Sequence, residues 1–259
     1  MPTWIVARKP TLSPTKITTY LACPVKFKWT YVDARGRWYL RSKSYYSFGT
    51  SLHRALERFH DSGDAGVQTT EEAVAALEES WIDAGYRSAD EAAEALGEGR
   101  EIVARYVEEQ IRAERRAKTL FTERQMRWDL GEFALIGRLD RLDEHDDGTL
   151  EIVDYKSGRS EVDPEEVRND IAMSCYGLLV RRKYPERPVV ATIVAIRTGA
   201  SGSASWTEEE MNVFEDDLKR LGNEILTEDY PELRPVYKPL CPHCDFLPLC
   251  RRDPEFEEL

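Results

Sequence analysis

Two short stretches carry acids and an amine at a spacing that suits chemistry on a phosphate ester. Asp154-Tyr155-Lys156 closes an apolar run beginning at Leu150, and Gly137-Arg138-Leu139-Asp140 precedes it, with Asp140 fourteen positions before Asp154. Side chains alternate across a strand, so Asp154 and Lys156 project from one face while Val153 and Tyr155 project from the other. If the two stretches pair as neighbouring strands, Asp140 lies opposite that acid and amine. Two carboxylates converging on one point repel unless a cation sits between them, and hard oxygen ligands select Mg²⁺ or Mn²⁺. Such an ion polarises a phosphodiester, activates a bound water and offsets charge on the leaving oxygen. Lys156 would stabilise the pentavalent phosphate or orient the attacking water. Taken alone, the same residues also describe an ordinary Asp–Lys surface pair, worth about 0–1 kcal/mol.

A second set of ligand-bearing residues is dispersed. His53 flanks a helical apolar stripe, Gly49 one turn earlier leaves room beside it, and Glu57 one turn later is either its support or a solvated acid. A lone histidine in this setting is usually an ordinary core or surface residue. Cys241, Cys244 and Cys250 put three thiols within ten residues, in a segment that Pro242 and Pro248 keep from regular helix, and Cys23 lies 218 positions earlier. In a reducing compartment clustered cysteines bind metal more often than they form disulfides. Four thiolates suit either zinc or an iron–sulfur cluster, and zinc could also take His243 in place of one thiolate. Cys175 has no such companion and reads as a small buried residue.

Composition limits what these groups can serve. The 259 residues hold 41% apolar and 32% charged side chains, with no apolar run approaching the ~20 residues of a bilayer span. The first residues lack the apolar core and cleavage site of a secretory leader, so a cytoplasmic location is expected. The net charge of −12 argues against a broad basic surface, but the charge is polarised: residues 1–54 sum to +9 and the remainder to −21. That basic segment also carries ten of the 26 aromatic residues, among them Trp29, Tyr31, Trp38, Tyr39, Tyr45 and Tyr46. Such interleaving lets cations meet phosphates while rings stack on unpaired bases. A half-buried hairpin with a solvated basic face accounts for the same composition.

The elements that must hold these groups follow from periodicity and punctuation. Ser13-Pro14 starts a short helix that Cys23-Pro24 stops, and Phe48 to His60 carries an apolar stripe at helical spacing. Residues 61–67 read as a linker, Thr70 to Tyr86 and Ala89 to about Lys118 as two helices. Leu120 to Leu130, Phe133 to Leu142 and Leu150 to Lys156 read as a strand meander. Val162 to Lys183 reads as helix, Pro188 to Ile196 as strand and Glu208 to Leu226 as helix. The order predicts an α/β fold whose mixed central sheet has helices on both faces, with an early helical lobe over one edge.

In order, Leu12-Ser13 through Cys23-Pro24, Phe48-Gly49-Thr50-Ser51-Leu52-His53, Gly137-Arg138-Leu139-Asp140-Arg141, Asp154-Tyr155-Lys156 and the three-cysteine tail resemble the RecB-like branch of the PD-(D/E)XK nucleases. That branch includes AddB-type nuclease domains and CRISPR-adaptation nucleases with an iron–sulfur cluster. The resemblance implies a restriction-endonuclease-like fold in one domain over 1–259, with a helical lobe at 61–118 and the core sheet at 119–200. It implies that His53, Asp140, Asp154 and the Tyr155 carbonyl bind Mg²⁺ or Mn²⁺, that Lys156 completes catalysis, and that Cys23, Cys241, Cys244 and Cys250 hold a 4Fe-4S cluster joining the chain ends. The expected activity is an exonuclease on single-stranded DNA, in DNA repair, recombination or CRISPR adaptation, beside a helicase or a CRISPR integrase. Tyr176 matches the family's substrate-side tyrosine, whereas the glutamine four residues before it is replaced by Ala172; Asn169 is a conjectural substitute. The competing reading, motivated by Ala172 and the negative net charge, is a catalytically weak DNA-binding or scaffold subunit.

Overall fold

The computed structural model describes residues 9–61, 67–113, 117–158 and 161–258. In chain order these form β1 (Thr11–Leu12), α1 (Pro14–Ala22), α2 (Pro24–Phe27), a π turn (Lys28–Val32), a 3-10 turn (Ala34–Trp38), α3 (Ser44–His60), α4 (Thr70–Glu79) and α5 (Ala89–Arg112). Then come β2 (Ala117–Asp129), β3 (Ala134–His145), β4 (Leu150–Lys156), α6 (Pro164–Asn169), α7 (Ile171–Lys183), β5 (Val189–Ala195) and β6 (Ala200–Ala204). The chain ends with α8 (Glu208–Thr227), 3-10 turns at Tyr230–Glu232 and Cys241–His243, and α9 (Leu247–Cys250). It divides into two compact units, one of residues up to 41, 129–135 and from 215, the other of 42–128 and 136–214.

The larger unit holds a mixed sheet in the order β3-β4-β5-β6, with β2 on the other edge of β3. β3 and β4 are antiparallel from Glu144↔Leu150 to Arg141↔Val153, β4 and β5 are parallel, and β5 and β6 are antiparallel. A parallel pair needs a crossover, and α6 and α7 supply it. Leu52, Leu56, Leu77, Val103 and Val107 of α3–α5 pack with Val153, Tyr155 and Ile196 in one buried core. The cap chemistry is local: Thr69 and Glu72 form a capping box on α4, Ser88 accepts from the Glu91 amide to start α5, and Asp163 with Glu166 caps α6.

Four expectations change. The helix expected over Val162 to Lys183 is two helices, because Asp170 turns extended and its carboxylate takes the amides of Ala172 and Met173, starting α7 anew. The helix from Thr70 stops at Glu79, where the Ser80 amide and hydroxyl both return to the Ala76 carbonyl. The next helix closes at Arg112, and Lys118 already stands in β2, with 114–116 outside the described residues. Strand β6, Ala-Ser-Gly-Ser-Ala, carries no apolar alternation and is recruited by pairing with β5. Of the expected linker, 62–66 also lie outside the described residues.

In the smaller unit Ser13 accepts from the Lys16 amide and Pro14 opens α1, as its sequence predicts. β1 runs parallel to the first residues of β3, Thr11 beside Ala134 and Leu12 beside Leu135. The Phe133 ring lies where Gly222 has no side chain; a Cβ there would meet its Cε1 at 2.1 Å. Tyr20 donates to Glu228 at 2.7 Å and Phe27 stacks on Tyr230 at 5.6 Å, joining early and late segments. The basic aromatic stretch is no hairpin. The Thr30 hydroxyl bonds back to the Lys26 carbonyl, Asp33 caps the Arg35 amide, and Gly36 lies so close to the Trp29 carbonyl that a Cβ would stand 1.8 Å from it.

Candidate active site

The site is assembled in the larger unit from α3, β2, β3 and β4. On β4, alternation sends Tyr155 into the core and turns Asp154 and Lys156 together, with Lys156 Nζ 2.7 Å from Asp154 Oδ2. On β3, Asp140 follows the last ladder pair, and its Oδ2 accepts the Tyr155 amide at 2.8 Å. The carboxylate thus replaces a backbone carbonyl and is fixed beside the Asp-Tyr-Lys turn. From α3, His53 donates through Nε2 to the Tyr155 carbonyl at 2.9 Å. A carbonyl only accepts, so this nitrogen carries the proton and Nδ1 is directed at Asp140 Oδ2, 3.4 Å away, and Glu123 Oε1, 3.6 Å away.

Glu123 is the residue that sequence reasoning did not single out. It lies within β2 with φ +44°, the one non-glycine positive φ among the described residues. A bulky side chain pays strain for that conformation, and the result is a carboxylate turned inward. Arg138 holds it there, its Nε 2.6 Å from Glu123 Oε2 and 3.2 Å from the Glu123 carbonyl. His53, Glu123 and Asp140 offer ligand atoms all within 4.8 Å of one another, the one such group of three or more among the described residues. Asp154 is not in that triple, but it lies close enough that its charge and that of Asp140 oppose each other.

The electrostatics match this crowding. Burial and then Asp140 push the Asp154 carboxyl up to about 6, against the pull of Lys156. Burial alone would lower the His53 imidazole, but Asp140 and Glu123 outweigh it and raise it to about 10. Lys156 shows the same contest: burial is outweighed by Asp154, with Asp170 and Asp140 adding to it, and the ammonium is held more firmly. Asp170, known from sequence only as part of a helix, therefore serves both as the cap of α7 and as a charge facing the amine. Tyr176 on α7 packs its ring against Gly137, where a Cβ would come within 2.9 Å. Burial first, then Asp154 and Asp140, raise its hydroxyl. Ala172 offers no polar group, and Asn169 is exposed on α6, a different helix.

His53, Glu123, Asp140 and Lys156 open into a cleft of about 610 Å³ whose walls include Gly49, Arg54, Glu57 and Ser157 and whose lining also includes Tyr45 and Tyr46, whereas Asp154 is buried and not part of that lining. Glu57 is raised by burial and by Glu123, so it faces the same space. The carboxylates are hard donors and the imidazole a borderline one, a set that suits a divalent cation.

The family model of the PD-(D/E)XK nuclease superfamily matches residues 11–251. The chain belongs to the PD-(D/E)XK nuclease superfamily. Asp154-Tyr155-Lys156 has the form of the (D/E)XK element in that name, and the mixed sheet flanked by helices suits a restriction-endonuclease-like fold. Nucleases of this superfamily use divalent metals, and His53, Glu123 and Asp140 form a possible site for one. The chain is also similar to a solved structure described as the crystal structure of SSO0001, at 13% identity over 95% of this chain and 88% of that one, with a TM-score of 0.40. No curated protein matches the sequence. No helix among the described residues is long and apolar enough to cross a membrane.

The four motif cysteines all lie in the smaller unit. The Lys26 amide donates to Cys23 Sγ at 3.4 Å and the Lys238 amide to Cys241 Sγ at 3.3 Å. Burial first, then Cys244, Cys23 and Cys241, push the Cys250 thiol up to about 12. His243 is exposed, and Cys175 is fully buried.

Proposed function

We propose that this chain is a metal-dependent deoxyribonuclease, an exonuclease acting on single-stranded DNA. The observation that carries the reading is the convergence of His53, Glu123 and Asp140 beside the Asp154–Lys156 pair. A divalent ion held by His53, Glu123, Asp140 and Asp154 would supply a polarised phosphate and an activated water. The chain's own part is positional. Asp140 and His53 bind the amide and carbonyl of Tyr155 and so set the backbone from which Lys156 enters the cleft with the buried Asp154 beside it. Lys156 carries the positive charge that a developing pentavalent phosphate requires. The single-strand preference is supported by Tyr45 and Tyr46, 61% and 66% exposed with ring centroids 4.4 Å apart, which line the same cleft as Arg54 and Arg138. Unpaired bases stack on such rings irrespective of sequence.

The second part of the reading is a 4Fe-4S cluster on Cys23, Cys241, Cys244 and Cys250. A thiol raised by burial and then by its neighbouring cysteines needs a cation to ionise, and amides donating to sulfur suit thiolate ligands. A tetrahedral zinc with bonds of about 2.3 Å puts its sulfurs about 3.8 Å apart. No three of these four sulfurs approach one another within 4.8 Å, so metal and sulfide content, and not the spacing, decides between zinc and the cluster. Its role would be structural, closing a loop of more than two hundred residues. Iron and sulfide near four each per chain, with broad visible absorbance, is the expected result; colourless protein with one zinc would reject the cluster.

The decisive assay compares end-labelled and circular single- and double-stranded DNA with Mg²⁺ or Mn²⁺. Stepwise loss of nucleotides from linear single strands, absent in Lys156→Ala, is expected. Cleavage of circles would replace exonuclease with endonuclease, and tight binding without cleavage in any metal would favour the scaffold reading prompted by Ala172.

A further inference from the structure

The smaller unit carries a cleft of its own, of about 410 Å³, lined by Trp29, Arg35, Trp38, Tyr39, Leu249 and Arg252. Its ingredients are unlike those of an ordinary surface groove. Trp38 is 76% exposed, so the ring is presented rather than packed. Guanidinium groups already lie on the aromatic faces: Arg35 is 5.4 Å from the Trp29 ring centre, Arg37 is 4.7 Å from Trp38 and Arg252 is 5.8 Å from Tyr39. Arg252 also donates to the Tyr39 hydroxyl at 2.8 Å. Arg35 is neutralised by Asp33, the only acid in residues 1–54. Arg37 and Arg252 have no acidic partner among the described residues. The shape is fixed by backbone contact, because Gly36 lies against the Trp29 carbonyl so tightly that no side chain fits between the two walls. Leu249 and Arg252 flank Cys250, so the far wall belongs to the cysteine segment.

We infer that this cleft is a second nucleic-acid site, which takes an unpaired base against Trp38 and Trp29 and the adjoining phosphates on Arg37 and Arg252. The ligand class follows from chemistry: flat π faces edged by guanidinium groups satisfy a base and its phosphodiester together. Residues 1–41 sum to +7, and the unit that holds the cleft sums to −1 against −11 for the larger unit, so a polyanion is repelled least from this part of the chain. The inference rests on the nuclease reading for its choice of DNA over a protein ligand, and it adds a holding site whose residues are separate from those that line the catalytic cleft.

The test is fluorescence anisotropy of a labelled oligothymidylate on the full-length protein, titrated over a range of salt without added divalent ion. Trp38→Ala should weaken binding about tenfold at each salt concentration and leave the salt slope as it was. Arg37→Ala and Arg252→Ala should each lower the slope by about 0.7, the share of one single-strand phosphate. Arg87→Ala, which removes an exposed arginine of the larger unit that pairs with Glu91, should change neither. Binding unaltered in Trp38→Ala, Arg37→Ala and Arg252→Ala would overturn the inference and leave the cleft to a protein partner. A slope loss in Arg87→Ala as large as in Arg252→Ala would overturn it as well, because only general charge would then be at work. Cleavage is scored separately on wild type with Mn²⁺. A protein that does not cut but shows the Trp38 and Arg252 effects loses the nuclease reading and keeps this site.

Discussion

β3 and β4 carry two polar clusters back to back, and consecutive residues divide between them. Asp140 and Asp154 belong to the open one, Arg141 and Tyr155 to the closed one. In the closed cluster Arg141 is buried, and its Nη1 shares two N–H groups among His60 Nε2 at 2.7 Å, the Tyr106 hydroxyl at 3.0 Å and the Tyr155 hydroxyl. Its Nε lies 2.9 Å from Asp143 Oδ2, and the Thr119 hydroxyl donates to Asp143 Oδ1 at 2.8 Å. Opposite charges are matched inside the protein. The open cluster instead sets carboxylates against one another, and those carboxylates raise the affinity of the His53 imidazole for a proton. The closed side fixes the Tyr155 ring, and with it the backbone on which Asp154 and Lys156 turn to the opposite face. The difference separates a polar group that completes the fold from one that completes a reaction.

The largest effect should come from breaking the closed side. Arg141→Met leaves Asp143 buried without its cation, and removing one partner of a buried pair costs about 3–5 kcal/mol. Urea unfolding should record a loss of that size; a change below 1 kcal/mol would show the cluster is not closed as described. The open side should respond in the opposite sense. Lys156→Ala and Asp154→Asn should each lower cleavage by about 10²–10³-fold or more. In Asp154→Asn, which mimics the protonated acid, metal-free stability at pH 8 should not fall. A variant that still cuts at wild-type rate, or a large loss of stability in Asp154→Asn, would erase the contrast.

Protons and metal ions should compete on the open side alone. The His53 imidazole is raised, so its contribution is complete below the ordinary histidine value near 6.5 and is lost as pH climbs through about 10. The Asp154 carboxyl is also raised, so the folded protein gains stability as pH falls from about 6 toward 4. A divalent ion takes the place of these protons. Excess Mn²⁺, at about a hundred times its dissociation constant, should add about 2.7 kcal/mol. The shift in Tm should be greater at pH 9 than at pH 6 in wild type and should disappear in Asp140→Ala. Equal shifts at the two pH values would place the ion elsewhere.

Which side was legible in sequence follows from the range of the forces involved. The alternation of Asp154, Tyr155 and Lys156 needs only a strand, and Asp140 needs only the neighbouring strand, so both could be read from local pattern. Ser13-Pro14 wrote the start of α1 in the same local terms. Glu123 could not be read this way: its inward turn depends on a positive φ that Arg138, fifteen residues later, holds in place. Asp170 was absorbed into a long helical period, although its short acidic side chain is the signal of a new N-cap. β6 has almost no side-chain pattern and exists through its partner β5. The basic aromatic stretch had the composition of a hairpin, but it winds into a π turn and a 3-10 turn whose backbones meet at Gly36 and Trp29.

The smallest effect should best separate the two sides. Tyr106→Phe removes a single hydroxyl from the closed cluster, where it bonds His60 at 2.8 Å, Tyr155 at 3.0 Å and Arg141 at 3.0 Å. Losing these bonds, one of them to a charged group, costs about 1–3 kcal/mol, and the aromatic ring that fills the core remains. Arg141 still holds the Tyr155 hydroxyl, so the Asp154–Lys156 turn keeps its anchor. Stability should fall by that amount while kcat and KM for single-stranded DNA stay at wild-type values. A matching loss in kcat would mean that strain passes from one face of β4 to the other through Tyr155, and the division between a structural side and a reactive side would have to be given up.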